Sequence, residues 1–161
     1  MLYILTLNDL LLTPLYLGLF YAIAFALRKR MTNAYTQRYF IPALSVKFAG
    51  AIALGLIYQF YYKGGDTFNY YAHEQVIASG FSESFSTGLA LLLNRPMTAE
   101  LTPFVLQMNW YFAPTEYFVA QVATVCGIFC FHTYTIIALM FAAISFSGMW
   151  AMYTAFVRIA P

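Results

Sequence analysis

Charge is what this 161-residue chain has least of: Asp, Glu, Lys and Arg make up 9% of it, against 62% hydrophobic and 20% aromatic residues. A soluble domain carries about 25% charged residues, so the composition excludes a soluble globular enzyme and a disordered tail. It also excludes a nucleic-acid partner, because eight Lys/Arg against six Asp/Glu leave a net charge of only +2, too sparse for a stripe that tracks phosphates. Basic residues are missing from Met1 to Asp9. Without the positive n-region of a cleavable secretory signal, the first apolar run stays as an anchor. Asn-x-Ser/Thr sequons are absent, and so are a Walker A loop, a Gly-rich dinucleotide fingerprint, His-Glu-x-x-His and Gly-x-Ser-x-Gly. ATP hydrolysis, hydride transfer and zinc proteolysis therefore have no motif to carry them. Cysteine is scarce as well. Cys126 and Cys130 are spaced i, i+4 inside an apolar run, where their Cβ directions suit packing better than a disulfide.

What the sequence has is long charge-free runs. About 20 mostly apolar residues cross a bilayer as a helix. The spacing of the charges predicts an all-α, polytopic membrane bundle, a single membrane domain over residues 1–161 with spans near 10–27, 41–62, 116–132 and 135–157. Pro14 is tolerated in the first turn of the first span. The second combines small residues from Ala49 to Gly55, which let helices approach closely, with an aromatic end at Tyr58–Tyr62 that reads as an interfacial belt. Lys47 lies inside this span, where it snorkels to the nearer interface or acts as a buried cation. The 41 residues from Tyr117 to Val157 carry no charge and must fold as two helices, with the break at Phe131–Thr135 and the last helix ended by Arg158-Ile159-Ala160-Pro161.

Five of the eight cations fall between Arg28 and Lys47, and five of the six acids between Asp66 and Glu116. The positive-inside rule then puts residues 28–40 in the cytoplasm and the N-terminus and residues 63–115 outside. Four spans would leave the C-terminus outside too. The outer segment 63–115 is too long for a simple turn and too apolar for a solvated loop. It reads as two or three short helices lying in the interface, broken at Asn94-Arg95-Pro96, Thr102-Pro103 and Ala113-Pro114-Thr115. Lys63-Gly64-Gly65-Asp66-Thr67 is its sharpest turn signal, and predicts a helix from Thr67 to Ser79 that stops at Gly80.

Asp66, Tyr70 and His73 share one face of that helix at i, i+4, i+7. A carboxylate, a phenol and an imidazole at a membrane surface suit general acid/base chemistry or a divalent metal, with Asp66 as its ligand. The plainer alternative has Asp66 as a helix cap, with His73 and Glu74 facing water. His132 reads as a neutral hydrogen-bonding residue at the inner end of the third span, and Glu116 and Gln121 as groups at its outer end.

The stretches Asn8–Tyr16 and Ile57–Tyr71 resemble the start of a group of uncharacterised polytopic inner-membrane proteins of Bacteroidetes-type bacteria. More broadly, the chain is similar to the N-terminal part of C-type glycosyltransferases, which use lipid-linked sugars and carry an acidic residue in the first long outer loop. Asp66 and the helix after it match that layout. The chain departs from it in having four expected spans where those enzymes have more, and one Asp where they pair two. The resemblance implies polysaccharide or glycoconjugate assembly at the outer face of a bacterial inner membrane, with a lipid-linked sugar as partner. The rival reading is a non-enzymatic subunit, scaffold or transporter component that docks other membrane subunits through Trp110, Tyr111, Phe112 and the Leu89–Leu93 run.

Overall fold

The computed structural model describes residues 5–159; the expected stop at Ala160 and Pro161 and the expected outer placement of Met1–Ile4 lie outside them. The described residues form helices and no strand: α1 (Leu7–Met31), α2 (Gln37–Ile57), α3 (Asp66–Glu83), α4 (Phe85–Leu92), α5 (Thr102–Val105), α6 (Pro114–Ile128) and α7 (Tyr134–Ile159). A single π turn, Tyr58–Tyr62, extends α2.

Three helices are long and apolar enough to cross a membrane: α1, α2 with its π turn, and α7, with mean hydropathies of 2.0, 1.9 and 1.8. Most of the α1 surface is apolar and unburied, with Leu7, Leu10 and Leu15 all about 70% exposed. Such a surface is stable only against lipid or another apolar partner. The expected third span is realised as α6, which has 15 residues and a rise of about 22 Å, short of the roughly 30 Å hydrocarbon core. Pro114 fixes its start at the first helical position, where the missing N–H costs nothing. Its end is fixed by Phe131 and His132, both in the left-handed region, which turn the chain into α7.

The three long helices pack so that α7 begins beside the start of α1 and ends beside its basic end. Asp9 Oδ1 accepts from the Thr135 N–H at 2.8 Å, and Trp150 Nε1 donates to the Met31 carbonyl at 2.9 Å. Both ends of α7 are therefore tied, and its last residues lie at the Arg28–Arg38 end of the bundle. The described end of α7 thus lies beside the basic loop, whereas four crossings would put it at the opposite end of the bundle. Arg28 closes that end by donating to the Gln37 carbonyl at 2.9 and 3.2 Å. Between the ends, Phe40, Leu44, Phe48, Leu139, Phe146 and Trp150 form a buried core.

At the other end, Lys63 takes a left-handed conformation and Gly65 a φ of 156°. A Cβ on Gly65 would meet the Tyr58 ring at 2.7 Å, so only glycine fits there. α3 then runs through Gly80 to Glu83 instead of stopping. Gly80 is not a breaker but a contact: a Cβ there would meet Leu91 at 2.5 Å and the Gly88 Cα at 3.4 Å, so α3 and α4 pack almost backbone to backbone. Ser84 turns the chain between them and accepts from the Thr87 N–H at 3.0 Å, capping α4. The C-terminal carbonyls of α4, which no helix can satisfy itself, take their donors from α6: Tyr117 Oη to Leu91 at 2.7 Å and Gln121 Nε2 to Leu92 at 2.6 Å. Segment 63–115 thus folds into a compact helical unit around Ile77, Leu91, Leu101, Val105, Tyr111 and Tyr117.

Candidate functional site

Asp66, Tyr70 and His73 do lie along one stretch of α3, but the structure separates their roles. Asp66 is the first residue of the helix and exposed. The N-cap position is taken by Gly65, so Asp66 stands in the first turn instead of at the cap. His73 is two turns on, about 10 Å along the axis, and 3% exposed. Its Nε2 accepts the Asn109 backbone N–H at 3.0 Å and its ring packs on Trp110 at 5.1 Å. Tyr70 also meets Trp110, at 4.9 Å. Among the described residues no hydrogen bond or ion pair joins Asp66 to His73; His73 instead fastens the 108–112 turn to α3. Burial holds the imidazole below its ordinary 6.5. A neutral ring that accepts at Nε2 carries its proton on Nδ1, and this atom is buried without a partner.

The acid–imidazole pair that does form is Glu74 with His132. His132 Nδ1 and Glu74 Oε1 share a short hydrogen bond. The Glu74 side chain is wholly buried, whereas that of His132 is 35% exposed, so the carboxylate is the inner, fixed member and the imidazole the accessible one. Gln75 Nε2 donates to Glu74 Oε2 at 2.7 Å and to the His132 carbonyl at 3.3 Å. Tyr71 Oη donates to the same carbonyl at 2.7 Å. Three consecutive-face residues of α3 thus hold both the side chain and the backbone of one turn residue. Burial pushes the Glu74 carboxyl above its ordinary 4.5, opposed by the bonds from His132 and Gln75. The Tyr71 phenol is pushed up by burial and by Glu74, and remains a donor.

Local sequence explains the fit. Gly127, in the last turn of α6, lies against the pair: a Cβ there would collide with the Glu74 carboxylate and meet His132 Nδ1 at 2.8 Å. The His132 N–H donates back to the Gly127 carbonyl at 2.9 Å, a helix-ending bond that requires the left-handed turn. His132 consequently lies at the same end of the bundle as Asp9 and Thr67, not at the inner end expected of it.

Tyr71 connects the pair to a cleft of about 1020 Å³ between α2 and α7, which Thr67, Tyr70, Tyr71 and Tyr134 also line. Thr67 and Tyr134 share a hydrogen bond at 2.9 Å. Tyr71 belongs to both places, touching the His132 carbonyl and the cleft. The other expected site residues do not join them. Gln121 is spent on α4, and Glu116 accepts the Thr115 hydroxyl at 3.0 Å. Of the expected docking residues, Tyr111 and Leu91 are core, at 2% and 0% exposed, while Phe112, at 76%, and Leu93, at 51%, stay on the surface. No group of three or more His, Cys, Asp or Glu converges among the described residues. A divalent metal at Asp66 would be held by this one carboxylate and complete its shell with water or substrate phosphate, as Mg²⁺ does.

Nothing local in the sequence joins Glu74 to His132, but one signal was present. Tyr70, Glu74, Ile77 and Phe81 follow helical spacing, which puts Glu74 inside an apolar stripe where a carboxylate needs a partner. Comparison with known protein families, with curated proteins and with solved structures finds no match, so the site stands on its own geometry.

Proposed function

We propose that this chain is an inner-membrane protein of a bacterium that takes part in building a surface polysaccharide or glycoconjugate from a lipid-linked sugar. In this reading the residues 28–40 loop and the end of α7 are cytoplasmic, and the segment 63–115 lies outside. Placing the α7 end with the basic loop supports this orientation, because Arg158 then joins Arg28, Lys29, Arg30 and Arg38 on the positive side.

The observation that carries the reading is the Glu74–His132 pair, joined through Tyr71 to an apolar cleft. A buried carboxylate that fixes one imidazole nitrogen leaves the other to take or give a proton, as in acid/base sites generally. His132 Nε2 would exchange the proton of a sugar hydroxyl or a leaving phosphate. Glu74 would orient the ring and stabilise its charged form. Asp66, exposed and next in the chain to the cleft residue Thr67, would bind the polar part of the substrate or a metal that neutralises its phosphates.

A knockout strain complemented with the wild-type chain should restore the surface glycan, and one complemented with Glu74→Gln should not, at equal membrane abundance. Asp66→Asn should lower the amount of glycan. Unchanged glycan in Glu74→Gln would overturn the proposal in favour of a structural subunit.

A further inference from the structure

The cleft between α2 and α7 is mostly apolar and carries one charge. Lys47 lies near the middle of α2 and lines it. Its Nζ donates only to Met149 Sδ, at 3.6 Å, and none of the carboxylates among the described residues pairs with it. A cation inside a spanning helix is costly unless something neutralises it, and its partner marks a ligand path. The side chain leaves the helix toward its N-terminus, which is the basic end. There the cleft wall changes character: Tyr39, Trp150 and Tyr153 replace the small residues Gly50, Ala51, Ala138 and Ala142 that line its middle.

This division, with charge and aromatic polar groups at one end and a smooth hydrocarbon surface beyond, matches a phospholipid. From Met149 to Tyr134 the cleft follows α7 for about 22 Å, longer than one leaflet, which is about 15 Å deep. Arg28, Lys29, Arg30 and Arg38 stand at the same end, with Arg38 stacked over Tyr39 at 4.6 Å. Clustered cations concentrate anionic lipid at the mouth of the cleft.

We propose that the α2–α7 cleft binds one anionic phospholipid, with its phosphate against Lys47 and its acyl chains along the small-residue floor. The proposal needs α2 and α7 to cross the membrane, but it does not depend on any chemistry at Glu74 and His132. The lipid screens Lys47 and fills the space alongside the packed seam of α2 and α7.

The chain has two tryptophans, and Trp150 lines the cleft, so it reports occupancy directly. A Trp110→Phe form of the full chain is reconstituted in phosphatidylcholine vesicles containing increasing fractions of chain-brominated phosphatidylglycerol or brominated phosphatidylcholine. Trp150 emission should be half-quenched at about a fivefold lower fraction of the anionic lipid, the preference one Lys contributes near a membrane surface. Lys47→Gln should abolish the preference and Lys47→Arg keep it. In the unsubstituted Lys47 form, unlabelled phosphatidylglycerol should restore emission where phosphatidylcholine does not, a check that needs no Lys47 variant to fold. Equal quenching by both lipids, a preference that survives Lys47→Gln, or no quenching by either, as when a protein helix fills the cleft, would each overturn the proposal.

Discussion

Glu74 and His132 stand 58 residues apart in the chain and are joined by a hydrogen bond between a fully buried carboxylate and a part-exposed imidazole. Glycine at position 127 makes room for it. Substituting Gly127→Ala should therefore destabilise by about 1–3 kcal/mol, the cost of overpacking a tight site, measured as a lower thermal midpoint in detergent. Shortening the carboxylate side chain should relieve part of that cost, so Gly127→Ala in a Glu74→Ala background should cost less than in the wild type. Additive effects would show that the methyl clashes with something else.

Asp9 is 5% exposed and holds three donors: the Thr6 N–H and hydroxyl at 3.0 and 2.9 Å and the Thr135 N–H at 2.8 Å. One side chain thus ties the starts of α1 and α7 together. Asp9→Ala should cost about 1–2 kcal/mol as a lost cap, and Asp9→Asn less, because its amide oxygen still accepts. Equal losses for the two variants would mean that the negative charge, rather than the acceptor, matters.

His73 has a folded pKa below its ordinary 6.5, so the folded state resists protonation more than the unfolded one. Its contribution to stability is full above pH 6.5 and is lost as pH falls from there through the folded pKa. Glu74, raised by burial, works in the opposite direction, contributing most at low pH, so the test is a difference. His73→Gln keeps an acceptor for the Asn109 N–H and removes the titration. The midpoint of the wild type should fall below pH 6.5 relative to that of His73→Gln, with the two curves parallel above it.

The α7 path makes a topological prediction that four crossings would reverse. Cysteines placed at Asn33, in the basic loop, and at Ile159, the last residue of α7, should react with a membrane-impermeant maleimide from the same side. Cys126 and Cys130 are buried and should stay silent. Labelling from opposite sides would restore the four-span arrangement.

Much of the helical layout was legible because charge is so expensive in hydrocarbon that its gaps outline the spans. The runs after Asp9, around Ala49–Gly55 and before Arg158 became α1, α2 and α7. The local signals misled where tertiary contacts overrode them. Gly80 looks like a helix stop in the sequence, yet it is the point where α3 meets α4. Residues 116–132 are apolar enough for a span, but the left-handed Phe131–His132 turn ends α6 early and reverses the direction of α7. The Asp66, Tyr70 and His73 face was correct as helix geometry and incomplete as chemistry, because spacing along α3 does not reveal which neighbour each side chain meets. Glu74, which the plainer alternative has facing water, stands in line with Ile77 and Phe81 and is wholly buried.

The central claim is that His132, held by Glu74, acts on a lipid-linked sugar. The most direct measurement is the amount of lipid-linked precursor extracted from cells whose only copy of the chain carries His132→Gln, alongside their surface glycan. The account predicts that the precursor accumulates while the glycan falls, with Tyr71→Phe intermediate through its loosened hold on the His132 carbonyl. Precursor and glycan both at wild-type levels in His132→Gln cells would contradict it.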